Sequence, residues 1–300
     1  MELRLGINTC FAVKRWPRVE DWGPVVRDRL GLRLVQHSFD LVEARSDTPA
    51  ATRTAISDLG LELHSTFTGL AAYSSNLLLH PDPAARGAAT SWFEWVVDWT
   101  AAAGAVATGG HLGAFSVADW QDPGRRAERW AGLQASLARL AERARSQGLD
   151  HLLVENLAAA REPSTMSMIL DLVTTGDATR VPIRLCLDTG HMCVPGTTGE
   201  ERDPYAWLRR MGPVAAQLQI QQSDADGDHH WPFTPARNAE GRIDADRVID
   251  ALGEAGVTAM PLFLEVIPAF EQADDGVLDD LEASVDHWRE AMARRGVQEG

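Results

Sequence analysis

Four short apolar runs in the C-terminal half of the chain each end in a side chain with an oxygen a metal could accept. They are His151-Leu152-Leu153-Val154-Glu155, Ile183-Arg184-Leu185-Cys186-Leu187-Asp188, Gln217-Leu218-Gln219-Ile220-Gln221 and Leu262-Phe263-Leu264-Glu265. Each run reads as a buried strand with its polar residue at the C-terminal end. In a barrel of parallel strands those ends share one rim, which is where such folds carry their active sites. Three carboxylates and an amide gathered there repel unless a cation sits among them. All-oxygen ligation suits Mn²⁺, Mg²⁺ or Ca²⁺ better than a thiolate-seeking metal. Glu155, Asp188, Gln221 and Glu265 are therefore read as one divalent metal site.

Further side chains decorate the same rim. His191 follows Asp188 by three residues across Gly190, which permits a sharp exit from the strand. It either ligates the metal or faces a substrate. Asn8, His37, His64 and His111 end the first four strand-like runs in matching register, and the strand interiors read as apolar. The segment Gln222–Arg242 is long for a compact fold, and long loops are usually functional. Its His229, His230, Trp231 and Phe233 suit a lid over a polar substrate. Lys14 and Arg15 in the first loop, and Arg161 after Glu155, are candidate holders of a phosphate or carboxylate.

The elements that must position these groups alternate along the whole chain. Strands are expected at Leu3–Asn8, Leu32–His37, Leu61–Phe67 and Ala105–His111, followed by the four runs above. Helices are expected at Asp21–Leu30, Thr48–Leu59, Pro83–Ala103, Gly124–Gln147, Ser164–Thr174, Asp203–Met211, Asp244–Gly253 and Leu278–Arg294. Trp92, Trp95 and Trp99 recur at helical spacing and read as packing residues. Eight strand–helix units in 300 residues predict an α/β fold, a (βα)8 barrel forming a single domain over residues 1–300.

Composition narrows the function classes. The formal net charge is −15, which disfavours nucleic acid and anionic membrane as partners. The three cysteines, Cys10, Cys186 and Cys193, have no zinc-type spacing and fit a reducing compartment. No signal-peptide pattern and no membrane-length apolar run is visible, so a cytoplasmic location is expected.

The motifs Val154-Glu155-Asn156, Leu187-Asp188-Thr189-Gly190-His191, Gln219-Ile220-Gln221-Gln222-Ser223-Asp224, Glu240-Gly241-Arg242-Ile243-Asp244 and Leu264-Glu265-Val266 resemble those of the xylose-isomerase-like TIM-barrel superfamily of sugar isomerases and epimerases. Asn8-Thr9, Ser65–Gly69 and His230-Trp231-Pro232-Phe233-Thr234 look most like its erythrulose-phosphate (tetrulose-phosphate) epimerase and isomerase branch. The resemblance implies one divalent ion, Mn²⁺ first and Mg²⁺ or Co²⁺ next, held by Glu155, Asp188, Gln221 and Glu265. Gln221 stands where the 3-epimerases carry histidine. The resemblance further implies that Glu155 and Glu265 act as the acid/base pair, with His191 holding substrate oxygens. Asn8, His64, His111, Arg161, His191, His230, Trp231 and Lys14 are then the substrate-binding candidates. The expected chemistry is proton abstraction α to a ketose carbonyl through a metal-bound enediolate, followed by epimerisation or aldose–ketose isomerisation. The expected partner is a small sugar, keto-sugar or sugar phosphate, with a homo-oligomer as the assembly.

Three other readings stand beside it. The chain also resembles the large subunit of C-glycoside deglycosidases, lyases on 3-oxo-glucosides that pair with a small β-rich subunit. Relatives that cleave abasic DNA need more histidine ligands and a cationic face than this acidic chain offers. A non-catalytic sugar binder would be expected to have lost a ligand position, and all four are competent here.

Overall fold

The computed structural model describes residues 1–39, 48–72, 75–175 and 180–300. Among the described residues nine strands run as β1 (Glu2–Asn8), β2 (Leu34–Ser38), β3 (Glu62–Phe67), β4 (Ala107–Gly110), β5 (His151–Glu155), β6 (Ile183–Asp188), β7 (Ala215–Ile220), β8 (Ala259–Leu264) and the short β9 (Gln298–Glu299). Between them lie α1 (Val19–Pro24), α2 (Pro49–Asp58), α3 (Gly69–Ala72), α4 (Pro83–Ala103), α5 (Val117–Gln121), α6 (Pro123–Gln147), α7 (Met166–Val173), α8 (Pro204–Met211), α9 (Pro235–Glu240), α10 (Ala245–Glu254) and α11 (Asp274–Arg294). The first expected helix, Asp21–Leu30, is instead broken. α1 ends at Pro24, which has no N–H to give, and the chain continues as a wider π turn over Val25–Arg29.

Helix boundaries follow local chemistry. Asp82 caps α4 by accepting from the Ala84 N–H, Pro83 opens the helix, and Gly104 closes it at φ 85°. Asp122 and Gly148 do the same for α6, Asp203 starts α8 and Asp244 starts α10. These caps sit at the turns between helices and strands, so they set where each strand begins.

The described chain divides into two compact units. One comprises residues 1–36, 55–62 and 186–300; the other comprises 37–54 and 63–185. In the first, β8 pairs with both β7 and β1, with Leu218 and Ile220 beside Leu262 and Leu264, and Gly6 and Ile7 beside Phe263 and Leu264. β1 pairs on its other side with β2, placing Asn8 beside Gln36. The strand interiors here are not wholly apolar, contrary to the sequence reading. Gln36, Gln217 and Gln219 are fully buried. They are tolerated because they satisfy one another: Gln219 Nε2 donates to Gln36 Oε1 at 3.0 Å, and Gln217 Nε2 reaches Cys186 Sγ at 3.1 Å.

In the second unit β4 pairs with β3 and β5. Phe93, Val97 and the partly buried Trp92 of α4 join Leu133, Leu137 and Leu140 of α6 in one apolar cluster over Leu152 and Val154. Trp99 is buried against Phe39 and His37 with ring centroids 4.7 and 5.8 Å away. The tryptophans of α4 are packing residues, as their spacing implies. Among the described residues no helix is long and apolar enough to cross a membrane.

Candidate active site

The C-terminal ends of β6, β7 and β8 meet through their backbones. The Thr189 N–H donates to Gln219 O at 3.1 Å, and the Glu265 N–H donates to Ile220 O at 3.0 Å. That register brings Asp188, Gln221 and Glu265 to one level, all but inaccessible to solvent. Asp188 is the last residue of β6, while Gln221 and Glu265 lie one residue beyond β7 and β8. Gln221 Nε2 donates to Asp188 Oδ1 at 3.1 Å. Gly190 is needed for this contact, because a Cβ there would lie 2.4 Å from the Gln221 amide carbon. Asn8, ending β1, spends its side chain on the same group. Its Nδ2 donates to Glu265 Oε1 at 3.3 Å and to Gln36 Oε1 at 2.8 Å, while its Oδ1 accepts the Cys10 N–H at 2.9 Å. Asn8 thus aims the Glu265 carboxylate from below. Burial beside that charge pushes the Cys10 thiol well up, leaving it a neutral core group.

The long loop closes over this level. Gln222 exchanges backbone hydrogen bonds with Trp231 at 2.9 and 3.0 Å, and its side chain bonds to Asn238 and Ile243. The Tyr205 hydroxyl donates to Arg242 O and accepts the Asp244 N–H; Arg242 itself reaches Met192 O. So anchored, the loop presents Asp228 and His230. His230 Nε2 lies 3.1 Å from Asp228 Oδ1, and its Nδ1 lies 3.9 Å from Glu265 Oε2. His191 Nε2 is 3.3 Å from Asp228 Oδ2 and 3.9 Å from Asp188 Oδ1. Desolvation alone would raise the Asp228 pKa, but the two imidazoles outweigh it and hold the carboxyl well below its ordinary range.

Asp188, His230 and Glu265 each bring a donor atom within 4.8 Å of the others, and so do His191, Asp228 and His230. Donors sharing one ion at about 2.1 Å sit roughly 3 to 4 Å apart, so small adjustments suffice for a metal. The mixed carboxylate and imidazole set suits Mn²⁺, Co²⁺ or a related divalent ion. Close carboxylates in a site shielded from water gain most from such a charge.

Other expected site residues lie as follows. Glu155 is buried at the end of β5. His64 is half-buried within β3. His111 follows β4, with Nε2 3.2 Å from Glu162 Oε1. The Arg161 guanidinium donates to Phe115 O, within a loop pair that also joins the Phe115 N–H to Arg161 O. Lys14 is exposed, adopts φ 69° and sits over the Phe270 ring at 5.5 Å. Its neighbour Arg15 is committed to Asp274 and two backbone carbonyls, so it is a structural cation. In the loop, Trp231 stacks on His229 at 3.9 Å and lies under the Arg237 guanidinium. Phe233 is not part of a lid: it is buried against Trp288. No individual role was assigned to Asp228, Gln36 or Gln219 from sequence. An Asp-x-His pair within the loop was the available signal for the first; nothing local marks the two glutamines.

The chain matches the xylose isomerase-like TIM barrel description over residues 28–294. The chain belongs to the xylose isomerase-like TIM barrel family. Its fold class is therefore the (βα)8 barrel expected from the alternating elements. It is 29% identical over 299 residues to D-erythrulose 1-phosphate 3-epimerase of Brucella abortus (strain 2308), covering 96% of both chains. A crystal structure of a protein provisionally named a xylose isomerase, from Rhodospirillum rubrum ATCC 11170, shares 34% identity at a TM-score of 0.87, covering 96% of this chain and 99% of that one. The structure of an L-ribulose 3-epimerase has the same fold at 22% identity and a TM-score of 0.71, covering 98% and 94%.

Proposed function

We propose that this family member is a divalent-metal-dependent epimerase of a sugar or sugar phosphate, inverting the carbon next to a ketose carbonyl. The carrying observation is the convergence of Asp188, His230 and Glu265 at adjoining strand ends, with donor atoms within 4.8 Å. The Brucella abortus relative, a 3-epimerase of D-erythrulose 1-phosphate by name, supports a short ketose phosphate as substrate. Aldose–ketose isomerisation shares the first step and differs only in which carbon recovers the proton.

Asp188, Glu265 and Glu155 are the proposed carboxylate ligands, with the Gln221 amide beside them. Glu155 enters from its place in the family motif at the end of β5. A bound divalent ion such as Mn²⁺ would draw electron density from the ketose carbonyl and its neighbouring hydroxyl, making the intervening C–H acidic. One glutamate takes that proton, and the C–H electron pair becomes the C=C bond of an enediolate. The other glutamate returns a proton to the opposite face, re-forming the C–H bond with inverted configuration. Asn8 keeps Glu265 aimed throughout, since its amide holds one carboxylate oxygen. His191 offers an N–H group to substrate oxygens from the loop side. Lys14 is the exposed cation at the first loop proposed to meet a substrate phosphate. The deglycosidase reading draws no support from the relatives above.

Deuterium exchange tests the proposal. With Mn²⁺ in D₂O, one C–H of a tetrulose or pentulose, free or phosphorylated, should take up deuterium as its epimer appears. No exchange in any ketose would sink it.

A further inference from the structure

The amide of Gln221 is already spoken for. An amide ligates through its oxygen, and Gln221 Oε1 accepts the His230 N–H at 2.6 Å. Its Nε2 faces two carboxylates, Asp188 Oδ1 at 3.1 Å and Asp228 Oδ1 at 2.9 Å. Reversing the amide would set its oxygen against both carboxylates and its NH₂ against a backbone N–H, so three groups hold its present orientation.

What the amide holds is His230. That residue adopts φ 48°, a left-handed backbone seldom used by a histidine. It is kept there by the Gln221 bond on its N–H and by the Ile267 N–H, which donates to its carbonyl at 3.1 Å. The result turns the buried imidazole edge-on to the carboxylates. Nδ1 lies 3.2 Å from the Glu265 carbonyl oxygen and 3.9 Å from Glu265 Oε2, and Nε2 faces Asp228 Oδ1 at 3.1 Å. A carboxylate behind one ring nitrogen is the arrangement that orients the other nitrogen toward a metal and raises its basicity.

We propose that His230, reaching in from the long loop, supplies the imidazole donor of the metal centre beside Asp188 and Glu265. Gln221 is then a positioning residue, and Asp228 is the carboxylate that orients the His230 ring. The nitrogen ligand then comes from the loop rather than from the end of β7, where Gln221 stands. This assignment rests on the metal reading above, but it fails separately from it.

Pulsed electron paramagnetic resonance of the full-length protein loaded with Mn²⁺ reads imidazole nitrogen bound to the ion directly. The wild type should show ¹⁴N coupling from a coordinated imidazole. His230→Asn should abolish it and weaken Mn²⁺ binding at least about tenfold, while His191→Asn should keep it. Asparagine is chosen because it accepts a left-handed backbone better than other non-glycine residues. Should His230→Asn not fold, His191→Asn decides: retained coupling supports the assignment and lost coupling overturns it. A wild type that binds Mn²⁺ without imidazole coupling, or coupling that persists in His230→Asn, overturns the assignment and leaves the metal reading standing. A wild type that takes up no Mn²⁺ overturns both. Gln221→Leu should keep the ¹⁴N coupling with weaker binding, because it loosens the loop without removing the donor; loss of coupling with full affinity would contradict that role.

Discussion

The ends of β6, β7 and β8 and the region around β2, β3 and β4 both bury polar side chains, and they treat them in opposite ways. At the first, Asp188, Gln221, Asp228, His191, His230 and Glu265 form a network in which charges face one another across 3 to 4 Å. At the second, Thr66 bonds through its hydroxyl to Thr100 and Thr108, each at 2.6 Å, and His37 lies among Phe39 and Trp99. There, burial lowers the His37 pKa from 6.5 to about 4 and keeps the ring neutral. Neutral hydroxyls can be satisfied once, and an uncharged imidazole can be sealed among aromatic rings, as a scaffold requires. Clustered carboxylates cannot, and their concentration at one place is what distinguishes a reactive centre from a buried polar core.

Substitutions should separate the two regions, most sharply at the proposed acid/base pair. Glu265→Gln and Glu155→Gln are each expected to cut turnover by about a thousandfold or more, with melting temperatures close to wild type. Steady-state rates beside thermal melts check this, and a variant of either residue with unaltered turnover breaks the contrast. Gly190→Ala should come next. Its methyl would press on the Gln221 amide at 2.4 Å and displace a hydrogen-bond hub, lowering kcat/KM roughly 10- to 100-fold. Full activity would mean the hub is not needed.

The scaffold region should respond in stability instead. His37 binds a proton more weakly folded than unfolded, so its contribution is complete above pH 6.5 and declines as pH falls toward 4. At pH 5 the loss approaches about 2 kcal/mol. Denaturant titrations at pH 7 and pH 5 should show a smaller drop for His37→Gln than for wild type; equal drops would refute the neutral-cage account. The smallest effect is expected for Thr66→Val, about 1 kcal/mol of stability with unchanged kcat. A fall in its kcat would show that the hydroxyl cluster also serves the reaction.

Much of this was legible beforehand where the signal is local. Helix α4 spans the predicted Pro83–Ala103 because Asp82, Pro83 and Gly104 mark both ends within a few residues. Strands β5 and β6 match their predicted bounds, since an apolar run ending in one carboxylate has few alternatives. The seventh run was harder. Its Gln217 and Gln219 interrupt a run read as a buried apolar strand, and only partners distant in sequence, Cys186 and Gln36, satisfy them there. Phe233 likewise resembled a substrate-stacking ring because nothing near it in sequence reveals Trp288.

By itself the sequence determined the alternation of strands and helices, their caps, and which carboxylates end which strands. These depend on periodicity and on neighbours within a turn or two. Tertiary structure alone decided that the Gln221 oxygen faces a backbone N–H, that Asp228 stands between two imidazoles, and that His230 adopts a left-handed backbone beside Glu265. Those outcomes depend on hydrogen bonds between segments far apart in the chain, whose directions no local pattern encodes.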